Sequence, residues 1–224
     1  MSTDASSADR GRRYLAEFIG TAFLLIGVIG SGIMAQNLIE TDVGMQLLAN
    51  AAATVGVLYA IILMFGPVSG GHFNPAVTIA DAWLGNRAWS DVGPYAVAQI
   101  AGGALGTVLA NLMFDLPAVD LSHQDRGAAH LWLGEVVATF GLVLLIFALV
   151  RTGRAHLAAG AVAAYIGGAY WFTSSTSFAN PAVSVTRTLS DTFAGIEPAS
   201  APMFIVMQLL GMALAVAAVR VLYP

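Results

Sequence analysis

Long apolar runs, separated by short polar stretches, make up most of this chain. Each run is close to the roughly twenty residues that an α-helix needs to cross a bilayer. We predict six membrane-spanning helices, at 15–35, 47–65, 94–114, 131–150, 157–172 and 202–222. An even number of spans puts both termini on the same side of the membrane. The polar segment 2–13 precedes a full-length apolar run and lacks a small-residue cleavage site, so a removable signal peptide is not expected.

The composition supports an integral membrane protein. Hydrophobic residues make up 58% of the chain and charged residues 10%, whereas soluble domains carry about 25% charged residues. The sequence contains no cysteine, which excludes disulfides, thiolate metal sites and thiol catalysis. It shows no nucleophile, metal-ligand cluster or phosphate-binding loop. We therefore predict no enzyme activity, no catalytic residue, no metal, no cofactor and no nucleic-acid partner.

The distribution of arginine predicts the orientation in the bilayer. All nine basic residues are arginine, and only Arg126 and Arg187 fall on the side opposite the termini. The side of the termini carries Arg10, Arg12, Arg13, Arg87, Arg151, Arg154 and Arg220. Basic residues accumulate in cytoplasmic loops. The sequence therefore predicts a multi-pass protein of the inner (plasma) membrane, surrounded by the lipid bilayer, with both termini cytoplasmic.

The tripeptide Asn-Pro-Ala occurs twice, as Asn74, Pro75 and Ala76 and as Asn180, Pro181 and Ala182. Asparagine is a preferred N-cap, and proline is well tolerated at the first helical position. Each copy follows a stretch rich in glycine or serine, 66–73 or 173–179. Irregular backbone at membrane depth is tolerated where it is buried in protein or lines a water-filled cavity. Each motif therefore predicts a short helix that starts inside the membrane.

The two halves of the chain match beyond this tripeptide. Glu17 in the first predicted span corresponds to Glu135 in the fourth, and Gln99 in the third corresponds to Gln208 in the sixth. Each half contains three spans, so the second copy enters the membrane from the opposite side. We predict one channel domain, 1–224, built from half-repeats 14–114 and 130–222. An inverted repeat of this kind places a functional site near the bilayer midplane.

These paired motifs resemble those of the major intrinsic protein family, the aquaporins and aquaglyceroporins. The most specific stretch is Ser-Gly-Gly-His-Phe-Asn-Pro-Ala-Val-Thr at 69–78. The resemblance covers nearly the whole chain. It implies an all-α membrane protein, the aquaporin fold, with six transmembrane helices plus two re-entrant half-helices in an inverted repeat. It also implies a homotetramer with one pore in each subunit.

The resemblance implies roles for the residues around the two motifs. The half-helix dipoles repel cations at the midplane, where the Asn74 and Asn180 amides donate to a passing oxygen. Backbone carbonyls of the irregular segments form a ladder of acceptors, from Gly70, Gly71, His72, Thr176, Ser177 and Phe178. A small neutral solute exchanges its water for these groups at little cost, whereas an ion does not.

Three ionisable residues each have two interpretations. Glu17 and Glu135 lie in the middle of apolar runs, where an ionisable group is a functional candidate. They either anchor the irregular loop of their own half or relay protons for transport. His72 either packs the loop or lines the pore as a switch that titrates near neutrality. The family resemblance favours anchoring for the two glutamates.

The residue after the second Asn-Pro-Ala departs from the family pattern, because Val183 stands where most members have the arginine of the selectivity filter. Counting by the family's spacing puts the other filter positions at Thr54, Gly168 and Ser177. All are uncharged and small or medium in size, so we expect a wider filter. Arg187 lies one helical turn after Val183. It either restores charge in the vestibule or lies on the outer surface near Asp191 or Glu197.

The function predicted from the sequence is a passive channel for small neutral solutes. Glycerol-like polyols and water are expected substrates, together with neutral metalloid hydroxides such as arsenite and larger methylated arsenicals. A secondary active transporter is one alternative, since inverted repeats and broken helices occur there too. A water-selective aquaporin and a structural protein with a closed pore are the others.

Overall fold

The computed structural model describes residues 7–224, so residues 2–6 of the predicted polar segment 2–13 lie outside the described part. Within that part the chain is all-helical and has no strand. Its eight α-helices are α1 Ser7–Leu38, α2 Val43–Ser69, α3 Pro75–Trp83, α4 Val92–Met113, α5 Ala129–Arg151, α6 Ala158–Phe172, α7 Pro181–Thr186 and α8 Ala201–Leu222. Short 3-10 turns lie at Trp89–Asp91, Ala155–Leu157 and Arg187–Leu189.

Five of the six predicted spans are helices long and apolar enough to cross a membrane: α1, α2, α4, α5 and α8. The remaining predicted span, 157–172, is α6, which has only 15 residues. A helix of that length rises about 22 Å, and the 3-10 turn before it adds about 6 Å. The half-helices α3 and α7 are present between the spans, as predicted.

Helix α2 continues further than the sequence predicts, through Pro67 to Ser69. We expected irregular backbone from Gly66 onward, but α2 ends only at Gly70. Gly70 adopts the left-handed conformation at φ 98° and donates its N–H to the Gly66 carbonyl at 3.0 Å. A glycine in this conformation is a common helix C-cap. The irregular segment before the first motif is therefore short, and it runs from the exposed Gly70 to the buried Phe73.

In each half of the protein, the first and the last long helix pack closely against each other at glycines. At Gly102 and Gly106 of α4, an added Cβ would overlap the carbonyl oxygens of Phe18 and Ala22 in α1. At Gly211 of α8 it would overlap the Val136 carbonyl of α5. Small residues let helix backbones approach closely in membranes. This packing brings α1 close to α4, and α5 close to α8, so that Glu17 and Glu135 each bond to a glutamine of the neighbouring helix.

Candidate functional site

The half-helices α3 and α7 both begin at the Asn-Pro step. Asn74 and Asn180 have extended backbone, and their Oδ1 atoms accept the N–H of Ala76 at 2.9 Å and of Ala182 at 3.0 Å. Pro75 and Pro181 occupy the first helical position, where the missing N–H is not needed. Each asparagine therefore caps the short helix that follows it.

Each asparagine also bonds across to the other half. Nδ2 of Asn74 donates to the Ala179 carbonyl at 2.7 Å, and Nδ2 of Asn180 donates to the Phe73 carbonyl at 2.7 Å. Both asparagines line the same cavity. A primary amide has two N–H groups, so each asparagine keeps one N–H for a ligand.

The residue before each asparagine has an unusual backbone conformation. Phe73 and Ala179 both have φ of 49°, a left-handed value that costs a non-glycine residue of order 1–3 kcal/mol. Each donates its N–H to a buried carboxylate, Phe73 to Oε2 of Glu17 at 2.7 Å and Ala179 to Oε2 of Glu135 at 2.8 Å. These charge-assisted bonds hold both strained residues in place.

The glutamates carry further bonds within their own half. Glu17 also accepts from the His72 N–H at 3.0 Å and from Nε2 of Gln99 at 2.7 Å. Glu135 accepts from the Phe178 N–H at 2.9 Å and from Nε2 of Gln208 at 2.6 Å. Both glutamates are fully buried, and neither lines the cavity. The structure thus brings each carboxylate to the loop of its own half and away from the lumen.

A cavity of about 550 Å³ passes through this centre. It reaches from Arg87 and His156, near the turns that follow α3 and α5, past both asparagines to Tyr170 and Arg187, near the ends of α6 and α7. The predicted site residues that line it are Thr54, Gly70, Gly71, His72, Asn74, Ser177, Phe178, Asn180, Val183 and Arg187. The Pro and Ala residues of both motifs are buried in the first turns of the half-helices instead.

The structure does not bring Gly168 or Thr176 to this cavity. Gly168 is exposed on another face of α6, so its predicted place in the filter is corrected. The cavity is lined instead by Val162, Ile166 and Tyr170, which follow each other at four-residue intervals on one helix face. The Tyr170 hydroxyl lies 3.1 Å from Oγ1 of Thr54. That four-residue spacing was the signal in the sequence that could have found Tyr170.

His72 both lines the cavity and contacts its own half. Its Nδ1 lies 3.0 Å from Oγ1 of Thr78, and its Nε2 lies 3.5 Å from Oδ2 of Asp81. The same carboxylate oxygen accepts from Nε of Arg87 at 3.0 Å. The ring is therefore fixed on both nitrogens at one end of the cavity.

Arg187 lies in the cavity wall rather than on the outer surface. Its side chain is 3% exposed, its guanidinium carbon lies 3.4 Å from the Phe178 ring centroid, and its Nε donates to the Ala194 carbonyl. Among the described residues it forms no ion pair with Asp191 or Glu197. One turn inward on the same helix face, Val183 presents only a small apolar side chain to the lumen.

Comparison with known proteins agrees with this architecture. The family model of the major intrinsic protein matches residues 4–174. The aquaglyceroporin AqpS of Rhizobium meliloti is 46% identical over 212 residues, which are 95% of this chain and 90% of that protein. A glycerol uptake facilitator protein of Streptococcus pneumoniae is 30% identical over 152 residues, which are 59% of this chain and 62% of that protein.

The fold has a close structural counterpart. The X-ray structure of the aquaglyceroporin from Plasmodium falciparum superposes with a TM-score of 0.71 and covers 94% of this chain and 95% of that one. Sequence identity between the two is 17%, so this similarity shows the fold alone. Together with the matched family model and the similarity to AqpS along nearly its whole length, it shows that the chain belongs to the major intrinsic protein family, as a membrane channel of the aquaglyceroporin type and not an enzyme.

Proposed function

We propose that the protein is a passive, bidirectional channel for small neutral hydroxylated solutes, with glycerol-like polyols and water among them. The observation that carries this proposal is the cavity, which passes both asparagines and extends toward both ends of the bundle. The names of the relatives, an aquaglyceroporin and a glycerol uptake facilitator, support the same solute class.

The wall of the cavity suits an amphipathic solute. Much of it is aliphatic, with Leu24, Val28 and Leu142 from the first and fifth helices, while Asn74 and Asn180 supply the free N–H groups. A polyol has a carbon side and a hydroxyl side. The carbon side contacts the aliphatic wall, and the hydroxyls exchange water for the amide donors, at a small net change in hydrogen bonding. An ion finds no comparable replacement for its hydration shell.

We further propose that the filter is wider than in relatives with an arginine after the second motif. Val183 is short, Thr54 and Ser177 are small, and the guanidinium of Arg187 stacks against Phe178 instead of crossing the lumen. Neutral metalloid hydroxides such as arsenite, and methylated derivatives that remain uncharged, are then small enough to pass this filter. Tyr170 lines the cavity in place of the predicted filter residue Gly168, and it is larger than Thr54, Ser177 and Val183.

The same proposal includes the assembly and the orientation. We propose a homotetramer with one pore per subunit in the inner (plasma) membrane, with half-repeats 14–114 and 130–222 of the single domain 1–224 forming each pore together. Cytoplasmic termini follow from the excess of arginine on that side. Cross-linking gives the subunit number, and protease access to either terminus in sealed vesicles gives the orientation.

Solute flux into proteoliposomes tests the channel. We expect glycerol flux that rises linearly with concentration, is indifferent to proton and sodium gradients, and exceeds that of empty vesicles. Saturating flux driven by either gradient would indicate a secondary active transporter. Water flux without glycerol flux would indicate a water-selective pore, and no flux at all would indicate a closed one. Arsenite entry, measured by elemental analysis of the same vesicles, tests the wider filter.

A further inference from the structure

Two arginines meet at the end of the cavity opposite the termini. The guanidinium carbon of Arg187 lies 3.4 Å from the centroid of the Phe178 ring, and that of Arg126 lies 5.1 Å from it. Nε of Arg187 donates to the Ala194 carbonyl, and Nε of Arg126 donates to the next carbonyl, that of Gly195, at 2.9 Å. One aromatic ring and two adjacent carbonyls therefore position both guanidinium groups.

The loop that carries Arg126 is tied to the segment that carries Arg187. The Asp120 N–H donates to the Leu189 carbonyl at 3.1 Å, and the Ser122 N–H donates to the Thr188 carbonyl at 3.0 Å. The Phe178 ring is itself held by an edge contact with Phe204, with centroids 5.1 Å apart. The two arginines are thus brought together by the fold of this end of the molecule.

Neither arginine has a carboxylate partner within residues 7–224. The nearby acidic side chains bond to other groups: Asp191 to His123, Glu197 to Ser200 and Asp125 to Gly127. Arg187 is 3% exposed, yet its terminal amino groups make no hydrogen bond within the described chain. The buried carboxyl group of Glu135 favours the positive charge of Arg187 from a distance, without forming an ion pair with it in the described chain. An ionisable residue inside a membrane protein is by default functional.

We propose that Arg187, reinforced by Arg126, is the charge-selecting residue of this pore. The inference rests on the proposed channel function. Because the guanidinium of Arg187 stacks on Phe178, its positive charge faces the lumen without filling it. It repels cations and hydronium ions, and its free N–H groups bind the acceptor oxygens of a neutral solute. Val183 sets the width of the pore, and Arg187, one turn further along the chain and supported by Arg126 at the Phe178 ring, supplies its charge.

Cation leak and glycerol flux, measured in the same proteoliposomes, test this inference. We expect R187Q to raise potassium and proton leak by about tenfold or more, since a unit charge close to the path is lost. The cation leak should be larger still in the double variant R126Q/R187Q. In R187K the leak should stay close to that of the parent, because the positive charge remains. R154Q is the matched control, since Arg154 is exposed on the side of the termini and its leak should not change.

The outcomes separate this inference from the proposed function. Leak at the parent level in the double variant, with glycerol flux retained, overturns the role of the arginines and leaves the channel intact. Absence of glycerol flux in the parent overturns the proposed function instead. If R187Q does not assemble, R187M decides instead, because methionine keeps an apolar stem against Phe178 and lacks the charge: a raised leak supports the inference and an unchanged leak overturns it.

Discussion

Asn74 and Asn180 each serve both halves of the protein. Each asparagine caps its own half-helix through Oδ1 and bonds through Nδ2 to the backbone that precedes the other motif. A carboxylate can replace the Oδ1 contact but not the Nδ2 donor. Substitution of either asparagine should therefore cost more than the loss of a helix cap alone.

Aspartate at either position should reduce glycerol flux strongly and weaken cation exclusion. It leaves the Ala179 or Phe73 carbonyl without its donor, which costs about 1–3 kcal/mol, and it adds a negative charge beside the lumen. Swelling assays and a pH-sensitive dye inside the vesicles measure both effects. Asn37→Asp, at an exposed position on α1, is the control. Parent-like flux and leak in an assembled double variant would rule out the shared role.

Glutamine at Glu17 should preserve part of the flux, whereas alanine should not. One oxygen still accepts, and the amide of Gln99 can turn so that its unpaired Oε1 accepts from the new N–H groups. Alanine leaves several buried donors unpaired, including the N–H groups of His72 and Phe73, at roughly 1–3 kcal/mol each. Thermal unfolding in detergent, together with flux, measures this difference. The proton-relay interpretation would gain if glutamine abolished flux in a fully folded protein.

For single residues, the sequence predicts contacts between chain neighbours well and contacts between residues far apart in the chain poorly. The helix starts at Pro75 and Pro181 follow from the chemistry of neighbouring residues, and the structure has them. The position of Arg187 depends on Phe178 and Ala194, which no local pattern connects to it. Gly168 was assigned to the filter by spacing, but the face that α6 turns to the cavity is set by its packing against other helices.

The helices themselves depend on close packing at glycine. Gly102→Ala should destabilise the protein by about 1–3 kcal/mol, because the added methyl group overlaps the Phe18 carbonyl and the helices must separate. Gly56→Ala in α2 is the matched control, since an added Cβ there meets nothing within 4 Å. It should be neutral or stabilising by up to about 1 kcal/mol. Equal losses in both variants, measured by thermal unfolding, would contradict close packing at Gly102.

The loop before α5 carries a pH-sensitive contact. The hydrogen bond that His123 donates to Asp191, together with the negative charge of Asp191, raises the pKa of His123. The backbone and side-chain hydrogen bonds from His123 lower the pKa of Asp191. The contribution of protonated His123 to the stability of the folded state is fully present below about pH 6.5, the usual pKa of histidine. It is lost as pH rises through the raised pKa of His123 in the folded protein. NMR titration should show the pKa of His123 falling more in Asp191→Asn than in Asp120→Asn. Equal values in parent and Asp191→Asn would exclude the pair.

The positions of the membrane-spanning helices were easier to predict from the sequence than the residues at which these helices end. Apolar length located five spans well, but α2 runs on through Pro67 and α6 is short. Helix ends depend on capping and on the packing of neighbouring segments, and both involve residues distant in the sequence. The left-handed cap at Gly70 is one example, because Gly70 was one of several glycines where α2 could have ended.

The whole molecule combines an inverted repeat with a cavity that crosses its centre. Equivalent glutamates hold equivalent strained residues in both halves, and the two asparagines bond across between the halves. The halves differ at the ends of the cavity: His72, Asp81 and Arg87 lie at one end, and Arg187 lies beside Phe178 at the other. The symmetry thus builds the passage, and the two ends of the passage carry different charged groups.

We propose that Val183 leaves the filter of this channel open for neutral solutes. The most direct test is the permeability ratio of a bulky neutral solute to water in the parent and in Val183→Arg, at matched protein density, with Val183→Ile as control. Arginine adds several heavy atoms at the start of α7, facing Thr54, Tyr170 and Ser177. We predict that the ratio drops sharply in Val183→Arg while water still passes, and that the isoleucine variant resembles the parent. An unchanged ratio in an assembled Val183→Arg protein would show that Val183 does not border the narrowest part of the pore, and the proposed wide filter would be wrong.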